Sequence, residues 1–477
     1  MSDTDTQQRQ LAELVAVYPA ADELAARFAD DGHELYLVGG TVRDTLLHGP
    51  LTHDGPHGRD LDLATTARPD DTERLLRGWA DDVWLTGARF GTVSARRGGA
   101  TFEVTTLRSD TYEPGSRHPE VAYGDDIETD LSRRDFTCNA MAVDLVNRRF
   151  IDPYGGLTDL HRRVLRTPVA AATSFGDDPL RMVRLARFTA VLDADVDQEA
   201  RAAATAMAEE LDSVSRERIR DELNKLVVAD KAGRGLDLLC ETGLADRFLP
   251  ELPALRIERD PAHHHKDVYA HTLAVVERCR PADDLVLRLA GLLHDIGKPA
   301  TRRFGPGGKV TFHHHEVVGA RMARARMTEL RYSKRMIEDV VQLVYLHLRF
   351  HGYSEQGWTD SAVRRYARDA GSDEQLRRLN ALTRADVTTQ NRHKARALAA
   401  AMDDLEERIV VLRREEQLAA LRPPLDGHQI MEHLGIAPGP LVGEAYQHLL
   451  DARIEQGPLT EADGRALLDA WWRDRQQ

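Results

Sequence analysis

With 477 residues, 42% hydrophobic and 30% charged, the chain is long enough to bury several cores and is expected to divide into about three or four domains. A formal charge of −14 excludes a uniformly positive surface but leaves room for a local phosphate-binding patch. Arginine supplies 57 of the 64 basic residues, which fits a compositional bias better than phosphate recognition.

The first residues, Met1-Ser-Asp-Thr-Asp-Thr, have no basic leader, and no apolar run approaches the roughly 20 residues that span a bilayer. A cytoplasmic protein without a membrane partner is expected. Cys138, Cys240 and Cys279 are odd in number and far apart, so they read as buried hydrophobes of a reducing compartment.

Residues 1–30 read as an N-terminal helical segment. From about 31 to 168 the apolar runs are short and strand-like (Leu35–Val38, Leu61–Ala64, Val83–Leu85, Thr92–Ala95, Thr101–Leu107, Met141–Leu145) and are separated by Gly, Asp and Pro. From about 177 onward helical periodicity takes over, as in Leu180–Leu192, Arg201–Leu211 and Arg216–Val228. Pro250 and Pro253 mark one boundary, and Arg422-Pro-Pro-Leu-Asp-Gly427 marks another. The fold class expected is α+β, a mixed head followed by helices.

Glu34-Leu-Tyr-Leu-Val-Gly-Gly-Thr-Val-Arg-Asp44 reads as a strand, a glycine pair and a helix start, and Arg59-Asp-Leu-Asp-Leu63 follows on the next strand. Side chains alternate along a strand, so Asp60 and Asp62 point to one side, while Gly39 and Gly40 let backbone amides approach closely. Arg43 can neutralise a phosphate held at that helix start. This is a place for Mg²⁺ and a triphosphate, with one carboxylate-bound metal activating a hydroxyl and a second neutralising the leaving group. Glu103, on Thr101-Phe-Glu-Val-Thr-Thr, supplies a third carboxylate or a sheet-edge salt bridge.

An ordered series extends these motifs: Arg133-Arg-Asp-Phe-Thr-Cys-Asn-Ala140, Asp152-Pro-Tyr-Gly-Gly-Leu-Thr-Asp-Leu160, Asp177-Asp-Pro-Leu-Arg-Met-Val-Arg-Leu-Ala-Arg-Phe188 and Ser215-Arg-Glu-Arg-Ile-Arg-Asp-Glu-Leu223. Together they resemble the class II tRNA nucleotidyltransferase and bacterial poly(A) polymerase family, in the DNA polymerase β-like superfamily. The resemblance implies a nucleotidyltransferase head over 31–168 and a helical neck that binds nucleotide and RNA over 169–255. It further implies Asp135 for the ribose hydroxyls, with Arg134 and Asn139 near the nucleotide. Asp178 and Arg181 are implied to read the Watson–Crick edge of CTP or ATP. Cytosine and adenine each pair an amino donor with an unprotonated ring nitrogen, which a carboxylate beside a guanidinium matches. Taken without the family, Asp178-Pro-Leu-Arg181 also reads as an Asp cap with Pro at the first helical position. Asp177 stands where the family has Glu.

Leu107-Arg-Ser-Asp-Thr-Tyr-Glu-Pro-Gly-Ser-Arg-His-Pro-Glu-Val121 reads as a mobile polar loop around Tyr112. It resembles the loop that family members need for adding the terminal A. The function expected is CCA addition to tRNA 3′ ends, with A-only addition or poly(A) synthesis as alternatives. Readings of another class are an HD phosphohydrolase with an inactive head, or a regulatory nucleotide-binding module.

Ten of the twenty histidines fall between His263 and His351. His271, His294-Asp295 within His-Asp-Ile-Gly-Lys298, and Asp386 resemble the H…HD…D order of HD-superfamily phosphohydrolases, with His315 and His347 extending the set. This implies an HD domain over 256–400 and a second divalent or transition metal. Residues 401–477 form a helical tail, within which Leu425–Gly443 resembles the family's C-terminal module.

Overall fold

The structure, a computed structural model, describes residues 11–12, 18–49, 60–85, 91–108, 123–257, 267–305, 310–353, 358–387, 392–420, 422–456 and 459–476. The polar loop around Tyr112 and the run His263–His265 lie outside the described residues.

Seven strands form one sheet: β1 (Leu35–Val38), β2 (Asp60–Thr65), β3 (Asp82–Trp84), β4 (Thr92–Arg97), β5 (Ala100–Thr106), β6 (Ala142–Asp144) and β7 (Arg149–Ile151), in the order β3-β4-β5-β2-β1-β6-β7. Every neighbouring pair is antiparallel except β2 and β5. The parallel register lays Asp60 beside Thr101 and Asp62 beside Glu103. Central β1 is buried along its whole length, whereas β2 alternates exposed Asp60 and Asp62 with buried Leu61 and Leu63. The acidic residues therefore share the face opposite the core. Tyr36, Val38, Ala64, Leu107, Ile127, Leu131, Ala140, Ala142 and Ile151 form a buried cluster in this region. β7 is absent from the apolar runs read from sequence, because Arg149-Phe-Ile is too short to show a period.

The helices interleaved with the sheet are α1 (Pro19–Asp30), α2 (Gly39–His48), α3 (Pro69–Arg77), α4 (Ile127–Ser132) and α5 (Gly156–Arg162). Asp126 caps α4 through the Glu128 and Thr129 amides. Asp152 accepts the Gly156 and Leu157 amides at the start of α5. The conspicuous Asp152-Pro-Tyr-Gly-Gly segment is thus a helix-start device. Farther along α5, Asp159 accepts from Thr137 Oγ1 at 2.7 Å, on the 3₁₀ turn Thr137–Asn139.

Helices then follow in succession: α6 (Ala171–Asp177), α7 (Leu180–Leu192), α8 (Gln198–Ala206), α9 (Arg216–Val227), α10 (Ala232–Glu241), α11 (Leu244–Phe248), α12 (Val268–Arg278), α13 (Leu285–Leu293), α14 (Lys298–Thr301), α15 (His315–Glu329) and α16 (Lys334–Leu346). α7 packs against α9 and α10 through Met182, Val183, Leu185, Ala186 and Ala190. Pro179 precedes α7 as its cap residue rather than its first helical residue, a one-residue displacement typical of helix ends.

By contact density the chain forms two compact units, Met1–His347 and Leu348–Gln477. The expected head, the neck and the first part of the HD segment share the first unit. The second contains α17 (Asp360–Ala370), α18 (Asp373–Asp386), α19 (Arg392–Ala420), α20 (Gly427–Leu434), α21 (Pro440–Gln456) and α22 (Glu461–Gln476). Its C-terminal part has its own core of Leu425, Ile430, Ala445, Leu449 and Leu468, and a capping box of Asp426 and Gln429 starts α20. All three cysteines are free and buried. No helix among the described residues is long and apolar enough to cross a membrane.

Candidate active site and histidine cluster

Gly39 begins α2 with φ +70°, and a Cβ there would meet Arg134 Nη1 at 3.0 Å and Asp62 Oδ2 at 3.3 Å. Only glycine both adopts this backbone and leaves the carboxylate room. Thr41 Oγ1 accepts the Asp62 amide at 3.3 Å, tying the helix start to the acidic strand. Asp62 faces an open cleft but is otherwise walled by protein. Burial is the main force raising its pKa above the usual carboxylate range; Asp60 and Asp44 add to it against Arg134 and Arg43. Glu103 is raised for the same first reason, then by Asp62 and Asp60. Three carboxylates facing one side make a site suited to a hard divalent ion with oxygen ligands.

A cavity of about 460 Å³ runs from this acidic edge toward the neck. Gly39, Gly40, Arg43, Asp62, Arg134, Asp135, Asn139, Asp178 and Arg181 all line it. The residues expected from sequence to bind nucleotide therefore surround one space. Asp60 and Glu103 are not among the lining residues; Asp60 lies two positions before Asp62 on β2, and Glu103 is the register partner of Asp62.

Inside the cavity most polar atoms are engaged with one another. Arg43 forks onto Asp44 through Nε at 2.7 Å and Nη2 at 2.8 Å, and its Nη1 donates to Asn139 Oδ1 at 2.6 Å. It acts here as a brace for Asn139, a second role beside the phosphate contact expected of it. Asn139 Nδ2 donates to Asp135 Oδ1 at 2.9 Å, as does the Phe136 amide at 2.8 Å. Arg184 Nε donates to Asp135 Oδ2 at 2.9 Å, and its Nη2 reaches the same oxygen. Burial alone would raise the Asp135 pKa; the Arg184 charge and these hydrogen bonds hold it below the ordinary value. With four donors on two oxygens, Asp135 has no acceptor position left, so any further donor must replace one of them.

The two base-reading candidates are engaged as well. Asp178 Oδ1 accepts the Leu180 amide at 3.2 Å and Oδ2 accepts Arg218 Nη2 at 2.8 Å. Arg181 Nη1 donates to Ser174 O and Oγ, at 3.1 and 2.9 Å, and Nη2 donates to Arg133 O at 2.6 Å. Phe188 forms an aromatic plate with the guanidinium carbons of Arg187, Arg43 and Arg184 at 4.0, 5.1 and 5.7 Å from its centroid. Arg133, Arg184, Phe188 and Arg218 line the cavity but had no role from sequence. Their signal was position: Arg184 lies one turn beyond Arg181, and Arg218 lies in the Ser215–Leu223 segment.

The second constellation is built around Asp295, which is 1% exposed. Its Oδ2 lies 3.2 Å from His294 Nε2 and 3.7 Å from His271 Nε2. Its Oδ1 lies 3.4 Å from His315 Nε2 and 4.0 Å from His347 Nε2. The Nδ1 atoms of His294, His315 and His347 face the carbonyls of Gly291, Phe312 and Val344 at 2.8, 2.8 and 2.6 Å. Those carbonyl contacts turn each Nε2 toward Asp295, where it donates to the carboxylate when protonated and would offer a lone pair to a metal when not, the usual way a protein orients metal-binding imidazoles.

Gly297 makes this convergence possible. A Cβ there would meet His315 O at 2.2 Å and Gly319 N at 2.6 Å, so α15 could not approach. Lys298 Nζ sits 2.6 Å from Asp295 Oδ2, a partner not foreseen from sequence. Burial opposes ionisation of Asp295, but His294 and Lys298, with hydrogen bonds from His294 and His315, hold its pKa well below the ordinary value. Among the described residues two groups could hold a metal: His271, His294 and Asp295, and Asp295, His315 and His347. Asp386, at the end of α18 in the second unit, is in neither of them. The donor set of imidazoles and one carboxylate suits a transition metal.

Comparison with known proteins agrees with this organisation. Residues 35–166 match the poly A polymerase head domain, 195–255 the probable RNA and SrmB-binding site of polymerase A, and 262–412 the HD domain. The A-adding tRNA nucleotidyltransferase of Deinococcus radiodurans is 33% identical over 446 residues, covering 91% of this chain and 95% of that protein. A CCA-adding enzyme of Streptococcus sanguinis is 39% identical over 226 residues, 47% of this chain and 53% of that enzyme. The Bacillus stearothermophilus CCA-adding enzyme, solved in complex with CTP, shares the fold with a TM-score of 0.61 at 24% identity, over 96% of this chain and 99% of that one. With likeness running through head, neck and HD segment, the chain belongs to the tRNA nucleotidyltransferase and poly(A) polymerase family.

Proposed function

We propose that the protein builds the CCA end of tRNA, transferring CMP and AMP from CTP and ATP to the 3′-OH and releasing pyrophosphate. The observation that carries this reading is that Asp178 and Arg181 line the same cavity as Gly39, Gly40, Asp62 and Asp135. A base edge, a ribose and a triphosphate can thus be held at once. Mg²⁺ bound by Asp60 and Asp62, with Glu103 beside them, would supply activation of the 3′-OH and neutralisation of the leaving group. The chain's own part is orientation. The start of α2 faces the phosphates with backbone amides, Arg134 adds positive charge, and Asp135 with Asn139 fixes the sugar. Asp178 accepts the amino group of cytosine or adenine while Arg181 donates to the ring nitrogen. Uracil and guanine present the opposite pattern and are rejected by about 1–3 kcal/mol per bidentate contact.

A second reading is A-addition alone, the activity named for the relative that matches 91% of this chain, although a CC-adding relative from Thermus thermophilus matches 92%. Extension of tRNAs ending at the discriminator base, at C and at CC, resolved to single nucleotides with CTP, ATP or both, separates the two. One fixed CCA end on the shortest substrate supports CCA addition. Extension of the CC end only, and only by A, supports A-addition, and long A tails indicate a poly(A) polymerase.

For the histidine cluster the proposal is a transition-metal site held by His271, His294, Asp295, His315 and His347, acting on 2′,3′-cyclic phosphates. Protein loaded with Ni²⁺ or Mn²⁺ that retains no metal after desalting and releases no phosphate from 2′,3′-cyclic nucleotides removes this second activity.

A further inference from the structure

Both recognition carboxylates of the cavity are tied to α9, the helix of the Ser215–Leu223 segment, in which no residue is assigned to the nucleotide from sequence. Arg218 and Glu222 lie four residues apart on α9 and so share a face. Arg218 donates to Asp178 Oδ2 at 2.8 Å. Glu222 is 5% exposed; its Oε2 accepts Arg187 Nε at 2.6 Å, and its Oε1 lies 3.6 Å from Arg184 Nη1. Arg184 in turn holds Asp135 Oδ2. One end of the α9 face thus reaches the base-reading carboxylate directly, and the other reaches the ribose carboxylate through Arg184.

We propose that Arg218 and Glu222 are positioning residues that set the two selectivities separately, Arg218 for the base and Glu222 for the sugar. This rests on the nucleotide site as read above. Arg218 takes one lone pair of Asp178 Oδ2 and so fixes which part of the carboxylate stays open to an exocyclic amino group. Without that guanidinium the carboxylate turns, and a base offering a carbonyl is no longer opposed by a fixed acceptor. Glu222 acts as a second seat for Arg184. When a 2′-OH takes a place on Asp135, a donor of Arg184 is displaced, and Glu222, already 3.6 Å from Nη1, receives it without leaving a buried charge unpaired. A deoxyribose gives Asp135 nothing in exchange. Arg184 then stays put, and the difference between the two outcomes is the sugar selectivity.

The test is a pair of ratios on a tRNA ending at C: kcat/KM for CTP over UTP, and for CTP over dCTP. Arg218→Gln should lower the first about tenfold, ~1.4 kcal/mol, and leave the second unchanged. Glu222→Gln should do the reverse. Arg218→Lys, which keeps a charged donor, should restore most of the base ratio. Arg184→Lys, which gives up the paired contact with Asp135, should move the sugar ratio as Glu222→Gln does, so the sugar arm survives if Glu222→Gln fails to fold. Parallel loss of both ratios in either variant, or loss of neither ratio in both, overturns the inference while leaving the site intact. If Asp178→Asn leaves the base ratio at its wild-type value, the reading of the site fails and the inference with it.

Discussion

Asp62 in the nucleotide cleft and Asp295 in the histidine cluster are both crowded by protein, yet their acidities move in opposite directions. Burial raises the Asp62 pKa, and Asp60 and Asp44 reinforce it. For Asp295 the same burial is overcome by His294 and Lys298. At the acidic edge of the cleft three carboxylates lie close together, and Arg134 and Arg43 do not offset the burial of Asp62. The cluster already carries a cation of its own, with Lys298 Nζ 2.6 Å from the carboxylate. A hard ion exchanged with each substrate suits the first arrangement, and a resident ion held by oriented imidazoles suits the second. On the proposed reading, one chain would pair a cation site shaped for turnover with another shaped for retention.

The largest expected effect separates the two. Asp62→Ala should reduce nucleotide incorporation about 10³-fold, with the metal content of the histidine cluster unchanged by elemental analysis. Equal loss of both would show that the two sites are not independent. Asp178→Asn comes next. It exchanges an acceptor-only group for one that also donates, so the CTP over UTP preference should fall about 10–100-fold while incorporation of CMP itself continues.

Gly297→Ala probes the other side. The new Cβ would lie 2.2 Å from His315 O, so α15 must move and His315 leaves Asp295. Retained metal should fall about 10–100-fold, with about 1–3 kcal/mol of stability lost to overpacking and the kcat for nucleotide addition kept. Metal content at the wild-type level would show that His315 is not a ligand.

How far the sequence carries is visible in these same residues. Asp60 and Asp62 are legible as a pair because a strand's period of two places them on one face, and β2 shows that alternation. Glu103 joins them only through the parallel pairing of β2 with β5, which links positions about forty residues apart and leaves no trace in local spacing. The His294-Asp295 motif carries Gly297, but the reason for the glycine lies on α15. Arg184, Arg218 and Glu222 stand in segments that sequence singles out, yet their partners come from elsewhere in the chain, and partner choice is a tertiary property. The H…HD…D order makes His271, His294 and Asp295 legible; that His315 and His347 also turn Nε2 toward Asp295 is a tertiary fact.

The smallest expected effect is one of pH, and it follows from the sign of the cleft's electrostatics. Asp62 and Glu103 both have raised pKa values, from burial first and from neighbouring carboxylates next. In the free enzyme they take up protons at a higher pH than ordinary carboxylates do. A divalent ion must displace those protons, so the Mg²⁺ concentration giving half-maximal incorporation should begin to rise at a higher pH, as pH falls, than it would for ordinary carboxylates. Asp295 moves the other way, so its carboxylate stays ionised while those of the cleft take up protons. Direct titration of the cleft with Mn²⁺, followed by the relaxation of water protons, checks the trend apart from the chemistry. Affinity independent of pH would mean that the charge of Arg43 and Arg134 outweighs burial at Asp62, and the contrast between the two carboxylates would then be one of geometry alone.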